Sequence, residues 1–309
     1  MSTWIPPTQA EVERYFERLN NWGRWGKDDE RGTLNLITSA KRAAAVQLAR
    51  SGRVVSLARD ITPQPALDYH MLYPLQRGSS RAAIDYVGMI YHGYAVTHID
   101  ALCHVDYRGQ LYNGRPFDTS IRHGGATWGA LDAWFDGVVT RGVLLDVASL
   151  REEGYVTVGK PVTPLDLDAA ATRAGVTIEP GDAVVVRSGR EAYEAATAAD
   201  ATAAVSPQGI PAAAQRPGLH IACLEWLREH DVAALAWDLM DERPVGYEGF
   251  QFGVHLAIPL LGLCLIDNTY PERLVAACQE EGRYTFLFTV MPLRLAGSTG
   301  SPCHPVAIF

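Results

Sequence analysis

The 309-residue chain is poor in cysteine and contains no long hydrophobic run. Its five cysteines form no Cys-x-x-Cys pair and are odd in number, which argues against a disulfide framework and favours a reducing compartment. No stretch of about 18 consecutive apolar residues occurs, so we expect no membrane span. The first residues lack the pattern of a secretory signal. We therefore expect a cytoplasmic protein.

Basic charge is also scarce, because 27 lysines and arginines stand against 35 acidic residues, a net charge of −8. This balance argues against a large contact surface for nucleic acid or for an anionic membrane. The glycine-rich phosphate-binding motifs and the Gly-x-Ser-x-Gly motif are missing as well. Their absence disfavours nucleotide-dependent chemistry and serine hydrolases with a nucleophile elbow. The expected partner is a small-molecule substrate.

Short β-branched runs alternate with helical stretches, which predicts an α/β fold with a mixed sheet. Residues 1–50 are predicted to form an N-terminal helical arm and residues 51–309 a single domain. The Ala-, Thr- and Ser-rich segment 195–214 predicts a long surface loop over a site. The predicted strands are Val54–Leu57, Ala83–Ile90, Tyr94–Asp100, Val143–Val147, Ala183–Arg187, Val232–Ala236, Leu263–Ile266 and Tyr284–Val290. The predicted helices cover residues 9–20, 39–51, 164–174, 190–198, 219–229 and 272–281.

The most informative segment for chemistry runs from His92 to His104. Strand residues two apart point to the same face, so His98 and Asp100 can face one ion, with Tyr94 on the same side. Imidazole and carboxylate together suit Zn²⁺, Mn²⁺ or Fe²⁺ better than Ca²⁺. The alternative is a polar edge strand whose histidines bond to backbone carbonyls.

The sequence Thr-His-Ile-Asp-Ala-Leu-Cys-His at 97–104 resembles the His-x-Gly-Thr-His-x-Asp-x-Pro-x-His signature of the metal-dependent cyclase family. That family includes bacterial kynurenine formamidases and isatin hydrolases. The segments 141–146 and 180–189 resemble two of its strands, and both ends of the chain resemble its longer branch. The resemblance implies a swivelling β/β/α domain and a metal-dependent enzyme.

Carried over residue by residue, the resemblance implies four metal ligands and one catalytic histidine. The implied ligands are His98, Asp100, His255 and Asp267, where Asp267 replaces the more usual glutamate. His104 falls on the histidine that acts as general acid and base.

Tyr94 stands where the family has its first histidine ligand, so we expect one divalent ion, zinc or manganese, rather than two. On a regular strand the Tyr94 hydroxyl can hydrogen-bond a bound carbonyl oxygen or a metal-bound water, which predicts a catalytic role. The alternative is that Tyr94 only fills the space of the missing imidazole.

Four further residues are predicted to bind substrate. Trp22 and Trp25, in a glycine-flanked loop, are suited to covering an aromatic or acyl group, or alternatively belong to an arm docked on apolar surface. His92 shares strand parity with the missing ligand, and a bulge would bring it into reach of the ion. His220 begins a predicted helix, where substrate binding and helix capping are both open.

The function these features predict is hydrolysis of a cyclic amide, a lactone or an N-acyl or N-formyl compound by metal-activated water. Two alternatives stay open. One is a cyclase that closes a lactone or lactam ring in secondary metabolism, and the other is a non-catalytic homologue that binds a small molecule. Metal analysis of the purified protein separates the enzyme from the binding homologue. We also expect a homo-oligomer.

Overall fold

A nine-stranded mixed sheet forms the centre of the computed structural model, which describes residues 4–62, 67–77, 79–198 and 215–309. Residues 199–214 of the predicted surface loop lie outside the described residues. The strands are β1 (Val54–Ser56), β2 (Leu67–Arg77), β3 (Ser80–Met89), β4 (His98–Asp100), β5 (Ile121–Arg122), β6 (Gly125–Ala126), β7 (Val138–Asp146), β8 (Ala183–Arg187), β9 (Ala234–Trp237), β10 (Cys264–Asp267), β11 (Thr285–Val290), β12 (Gly300–Pro302) and β13 (Val306–Ile308). The sheet order is β1-β13-β11-β7-β8-β9-β10-β4-β12.

The strands β7, β8, β9 and β10 run parallel, and antiparallel strands extend the sheet on both sides. Burial on both faces explains why the central strands read as unbroken apolar runs, as in the buried Ala183–Val186 segment of β8. The predicted α/β fold with a mixed sheet in one domain is confirmed.

Helices cover the sheet, and local sequence signals fix several of their ends. They are α1 (Gln9–Glu13), α2 (Tyr15–Leu19), α3 (Ser39–Val46), α4 (Phe117–Ser120), α5 (Pro164–Ala174), α6 (Arg190–Thr197), α7 (Cys223–Glu229), α8 (Ala257–Leu261) and α9 (Glu272–Glu281). Thr163 and Asp166 form a capping box before α5, and Gly175 ends it with a φ of +66°. The bounds predicted for α5 and α9 are confirmed, whereas the helix predicted over 9–20 is divided at Arg14. None of the helices among the described residues is long and apolar enough to cross a membrane.

The N-terminal segment docks beside α8. The Asn21 N–H donates to the Leu260 carbonyl at 2.9 Å, and the Thr33 N–H donates to the Gly262 carbonyl at 2.8 Å. Gly32, with a φ of +57°, approaches Gly262 so closely that a Cβ atom would clash with the Gly262 carbonyl. The segment therefore supports the helix that directly follows the candidate ligand His255. The division at residue 50 stays a prediction.

Candidate metal centre

Strands β4 and β10 bring three of the predicted ligands together. Their antiparallel register places His98 opposite Asp267, while Asp100 lies two residues along the same strand as His98. The His98 Nε2 atom lies 3.5 Å from Asp100 Oδ1 and 3.6 Å from Asp267 Oδ2. All three side chains are buried. Two carboxylates buried beside one imidazole are costly without a neutralising charge, so this group fits a cation.

The predicted strand from Tyr94 to Asp100 is wrong in its first half, because residues 92–97 form a turn and β4 begins at His98. Gly93 adopts a φ of +124°, which suits glycine. The Asn268 amide donates to the carbonyls of Gly93 and Val96 from the opposite strand end. These tertiary hydrogen bonds explain why the chain turns where its residue types favour a strand.

The turn carries His92 into a second group of potential ligands. His92 Nδ1 lies 3.0 Å from Asp100 Oδ1, and His104 Nε2 lies 3.9 Å from Asp100 Oδ2. The rings of His92 and His104 stack with centroids 3.8 Å apart and planes 4° apart. His92, His104 and Asp100 each offer one atom close enough to the others to share an ion. His92, predicted to bind substrate, therefore lies at the centre itself.

Asp100 provides the test of whether these residues fit a metal. Both of its carboxylate oxygens are buried and make no hydrogen bond with the described residues. His92 Nδ1 lies 3.0 Å from Asp100 Oδ1, but this nitrogen makes no hydrogen bond with the described residues either. An unsatisfied buried carboxylate is costly, and a divalent cation satisfies both oxygens at once. The mixture of imidazole and carboxylate donors matches zinc or manganese. The residues fit the ion.

The charges at the centre are set by burial and by neighbours. Burial alone would raise the pKa of Asp100, but His104, His98 and His92 hold it well below its usual range. Burial lowers the pKa of His104 to about 4, against the opposing effect of Asp100. Asp100 is therefore an anion and His104 a neutral imidazole near neutral pH, the states that ligation and proton acceptance require.

His255, the fourth predicted ligand, lies between two carboxylates at the edge of the centre. Its Nδ1 lies 2.6 Å from Asp241 Oδ2, and its Nε2 lies 3.1 Å from Asp267 Oδ2 and 3.9 Å from Asp100 Oδ2. Burial disfavours a charge on the ring, but Asp241 and Asp267 together raise the pKa of His255 well above its ordinary value. The partner Asp241 was not predicted, because nothing in the 14-residue spacing marks the contact.

Hydrogen bonds from outside the two groups orient the ligands. His98 Nδ1 lies 2.8 Å from the Val96 carbonyl, which leaves Nε2 to face the carboxylates. The Trp237 indole N–H donates to Asp267 Oδ1, which leaves Oδ2 to face His98 and His255. Such outer contacts fix the ring and carboxylate positions on which metal affinity depends.

We expect Trp237→Phe to weaken metal binding by about tenfold or more, because it removes the hydrogen bond that holds Asp267. The measurement is a competitive titration of the metal against a chromogenic chelator. Trp134→Phe is the matched control, because Trp134 is also buried and its indole nitrogen has no partner among the described residues. Equal losses of affinity in the two variants would contradict a positioning role for Trp237.

The two tryptophans predicted to cover the substrate are docked on the protein. The Trp22 indole donates to the Pro259 carbonyl at 2.7 Å, and its ring meets Phe16 edge to face. The Arg24 guanidinium lies 4.8 Å from the Trp25 ring. Trp22 is thus docked on the protein, as the alternative of a docked arm expects, and a contact of Trp22 or Trp25 with substrate stays a prediction.

Tyr94 and His220 also lie outside the two ligand groups. The Tyr94 ring lies 3.5 Å beneath the Arg216 guanidinium, and its catalytic role, which assumed a regular strand, stays a prediction. His220 Nδ1 accepts the Ala222 N–H at 3.0 Å, while its Nε2 lies 3.7 Å from a Glu242 carboxylate oxygen. Its predicted contact with substrate likewise stays a prediction.

Comparison with known proteins agrees with this fold. The model of the Cyclase family, described as "Putative cyclase", matches residues 39–242, more than half of the chain. The crystal structure of a novel cyclase is 29% identical with a TM-score of 0.79, covering 95% of this chain and 99% of that one. Isatin hydrolase A from Ralstonia solanacearum is 18% identical with a TM-score of 0.56, covering 86% and 95%. An isatin hydrolase bound to the product analogue thioisatinate is 15% identical with a TM-score of 0.56, covering 88% and 98%.

The comparison with curated proteins found no match. The family model supports an enzyme of hydrolase or cyclase type, and the grouped histidines and carboxylates are suited to holding a metal ion. The chain belongs to the cyclase family, as its sequence motifs predicted.

Proposed function

We propose that this protein hydrolyses a cyclic amide, a lactone or an N-acyl or N-formyl compound with the help of one zinc or manganese ion. The observation that carries the proposal is Asp100, a buried carboxylate with both oxygens unsatisfied and histidines on either side. His98, Asp100 and Asp267 would hold the ion, because they are the most deeply buried of the candidate donors. The isatin hydrolases of the same fold support the choice of hydrolysis.

A bound divalent ion would polarise the scissile carbonyl and ease the ionisation of water. The protein's own residues transfer the protons and position the reacting groups. His104 is neutral and accepts the proton of the attacking water on its imidazole, and it then returns that proton to the leaving nitrogen or oxygen. The stacked His92 ring and the nearby Asp100 hold the His104 plane in place. His255, which contacts Asp241 through Nδ1 and lies 3.1 Å from Asp267 Oδ2 through Nε2, is the fourth proposed ligand.

Elemental analysis of protein purified without added metal, followed by a panel of amides, lactones and imides, tests the proposal. We expect one tightly held ion per chain and hydrolysis of at least one panel member that stops on chelation and returns with metal. If two ions are tightly held, we assign the second ion to the group of His92, Asp100 and His104. Ring closure without hydrolysis would favour the cyclase alternative, and a metal-free, inactive protein would favour the binding homologue.

We further propose that two copies of the chain associate through the hairpin of β2 and β3. Residues 80–87 of β3 are exposed throughout, and an isolated two-stranded hairpin is only marginally stable in water. Its apolar side chains Tyr69, Met71, Leu72, Ile84, Tyr86 and Val87 are 38–48% exposed. A cavity of about 470 Å³, lined in part by Met89, Met291 and Leu293, offers the same chain a complementary apolar surface. A twofold dimer would bury both surfaces at once.

Light scattering coupled to gel filtration should give a dimer for the wild type and a monomer for the double variant Ile84→Lys, Tyr86→Lys. These two residues point to the same face of β3, so two charges would face the partner. The control is Thr172→Lys with Gln279→Lys, two exposed positions on helices α5 and α9. A wild-type monomer, or a double variant that remains dimeric, would contradict the proposal.

A further inference from the structure

A cavity of about 580 Å³ is lined by residues that take no part in the chemistry proposed above. Glu242 in its wall directly follows Asp241, whose carboxylate contacts the ligand neighbour His255. Its volume lies within the range of small-molecule sites. The lining residues include Trp4, Arg216, His220, Glu242, Arg243 and Tyr247.

Two arginines stand side by side in the wall of this cavity. The main chains of Arg216 and Arg243 exchange hydrogen bonds of 3.0 and 2.8 Å, which fixes the two residues as neighbours. The Arg216 guanidinium lies 3.5 Å from the Tyr94 ring centroid, and the Arg243 guanidinium lies 5.9 Å from it. Tyr94 is two residues from His92, so their Cα atoms are at most about 7.6 Å apart. Tyr94 therefore connects the arginine pair to the chain segment that carries the centre.

Neither arginine has an acidic partner among the residues that the structure describes. By contrast, Arg141 is paired with Asp182 and Glu179, and Arg187 with Asp146 and Glu272. These two half-buried arginines are thus neutralised by carboxylates. Within the described ranges, the pair Arg216 and Arg243 lacks this arrangement, which leaves it suited to an anionic ligand.

The remaining groups in the wall leave the cavity positive. Burial, with a smaller contribution from Asp241, raises the pKa of Glu242 to about 8, so this carboxyl is largely protonated at neutral pH. Burial lowers the pKa of His220 to about 4, so its ring is neutral. Burial also lowers the pKa of Arg216, an effect that Arg190 and Arg243 increase and that Tyr94 and Glu194 oppose. Partly desolvated positive charges at close range favour an anion between them.

We propose that Arg216 and Arg243 bind a carboxylate group of an organic ligand in this cavity. This inference rests on the proposed function in one respect, namely that the ligand is the substrate. A planar guanidinium group can donate two parallel hydrogen bonds to the two oxygens of a carboxylate. Trp4 and the Tyr247 ring offer apolar surface for the rest of the molecule. On that basis, the substrate is an amide or lactone that also carries a carboxylate.

Isothermal titration with sodium benzoate and with benzamide, its neutral analogue of similar shape, tests the proposal. We expect saturable binding of benzoate and at least tenfold weaker binding of benzamide. Arg216→Gln and Arg243→Gln should each weaken benzoate binding about tenfold or more. Arg50→Gln, at an exposed position, should leave it unchanged.

Because a carboxylate can also bind a metal, the titration is repeated on protein treated with chelator and then freed of it by dialysis. Benzoate binding that persists supports the arginine site, even if no hydrolysis is ever found. Binding that disappears with the metal, equal binding of benzoate and benzamide, or unchanged binding in both cavity variants overturns it. Absence of saturable binding to the wild type also overturns it.

Discussion

Asp100→Asn is expected to empty the metal centre and abolish activity. Asp100 is the one side chain shared by the two groups of potential ligands. Its negative charge is close to the imidazoles of His98, His92 and His104. The amide keeps the shape of the side chain but loses the negative charge, so a divalent ion loses both an anionic ligand and the balance of its own charge. Elemental analysis after dialysis should find less than a tenth of the wild-type metal content.

The control for this prediction is Asp238→Asn. Asp238 is also buried, but its carboxylate accepts the backbone N–H groups of Ser188, Gly189 and Arg190 rather than facing the centre. Its substitution is expected to lower the melting temperature while metal content is retained. If Asp100→Asn kept a full complement of metal, the ion would have to lie elsewhere, and the proposed centre would be wrong.

Much of the sheet could be predicted because its strands carry local signals. The buried parallel strand Ala183–Arg187 is a run of valines bounded by turn residues, and both ends were predicted correctly. The hairpin strand β2 was not predicted. Strands β12 and β13, which are held by pairing with distant strands, were also missed.

The metal centre was predictable only in part, because contacts between residues distant in sequence place some of its members. The spacing of His98 and Asp100 follows from the period of a strand, and the structure brings both to one group. The position of His92 depends on a turn held by Asn268, a residue 176 positions away, so strand parity placed it too far from Asp100. The same limit applies to Asp241, which contacts His255 through loop geometry alone.

His104→Ala is expected to lower turnover by about 10²–10⁴, the usual range for loss of a general acid and base, while the metal stays bound. The reason is that His98, Asp100 and Asp267 form a complete group without His104, whose Nε2 lies 3.9 Å from the nearest Asp100 oxygen. The measurement is kcat on a substrate identified by the amide, lactone and imide panel, with metal content determined on the same sample.

The matched control for that variant is His230→Ala, which removes an imidazole stacked on Trp226 and bonded to its carbonyl, with no recorded contact to the centre. Its turnover and metal content should equal those of the wild type. If His104→Ala emptied the centre, His104 would be a ligand rather than the proton carrier, and the second group would hold an ion. If turnover fell less than about tenfold with metal retained, the protons of the reaction would move through another residue, and the stacked His92 would be the next candidate.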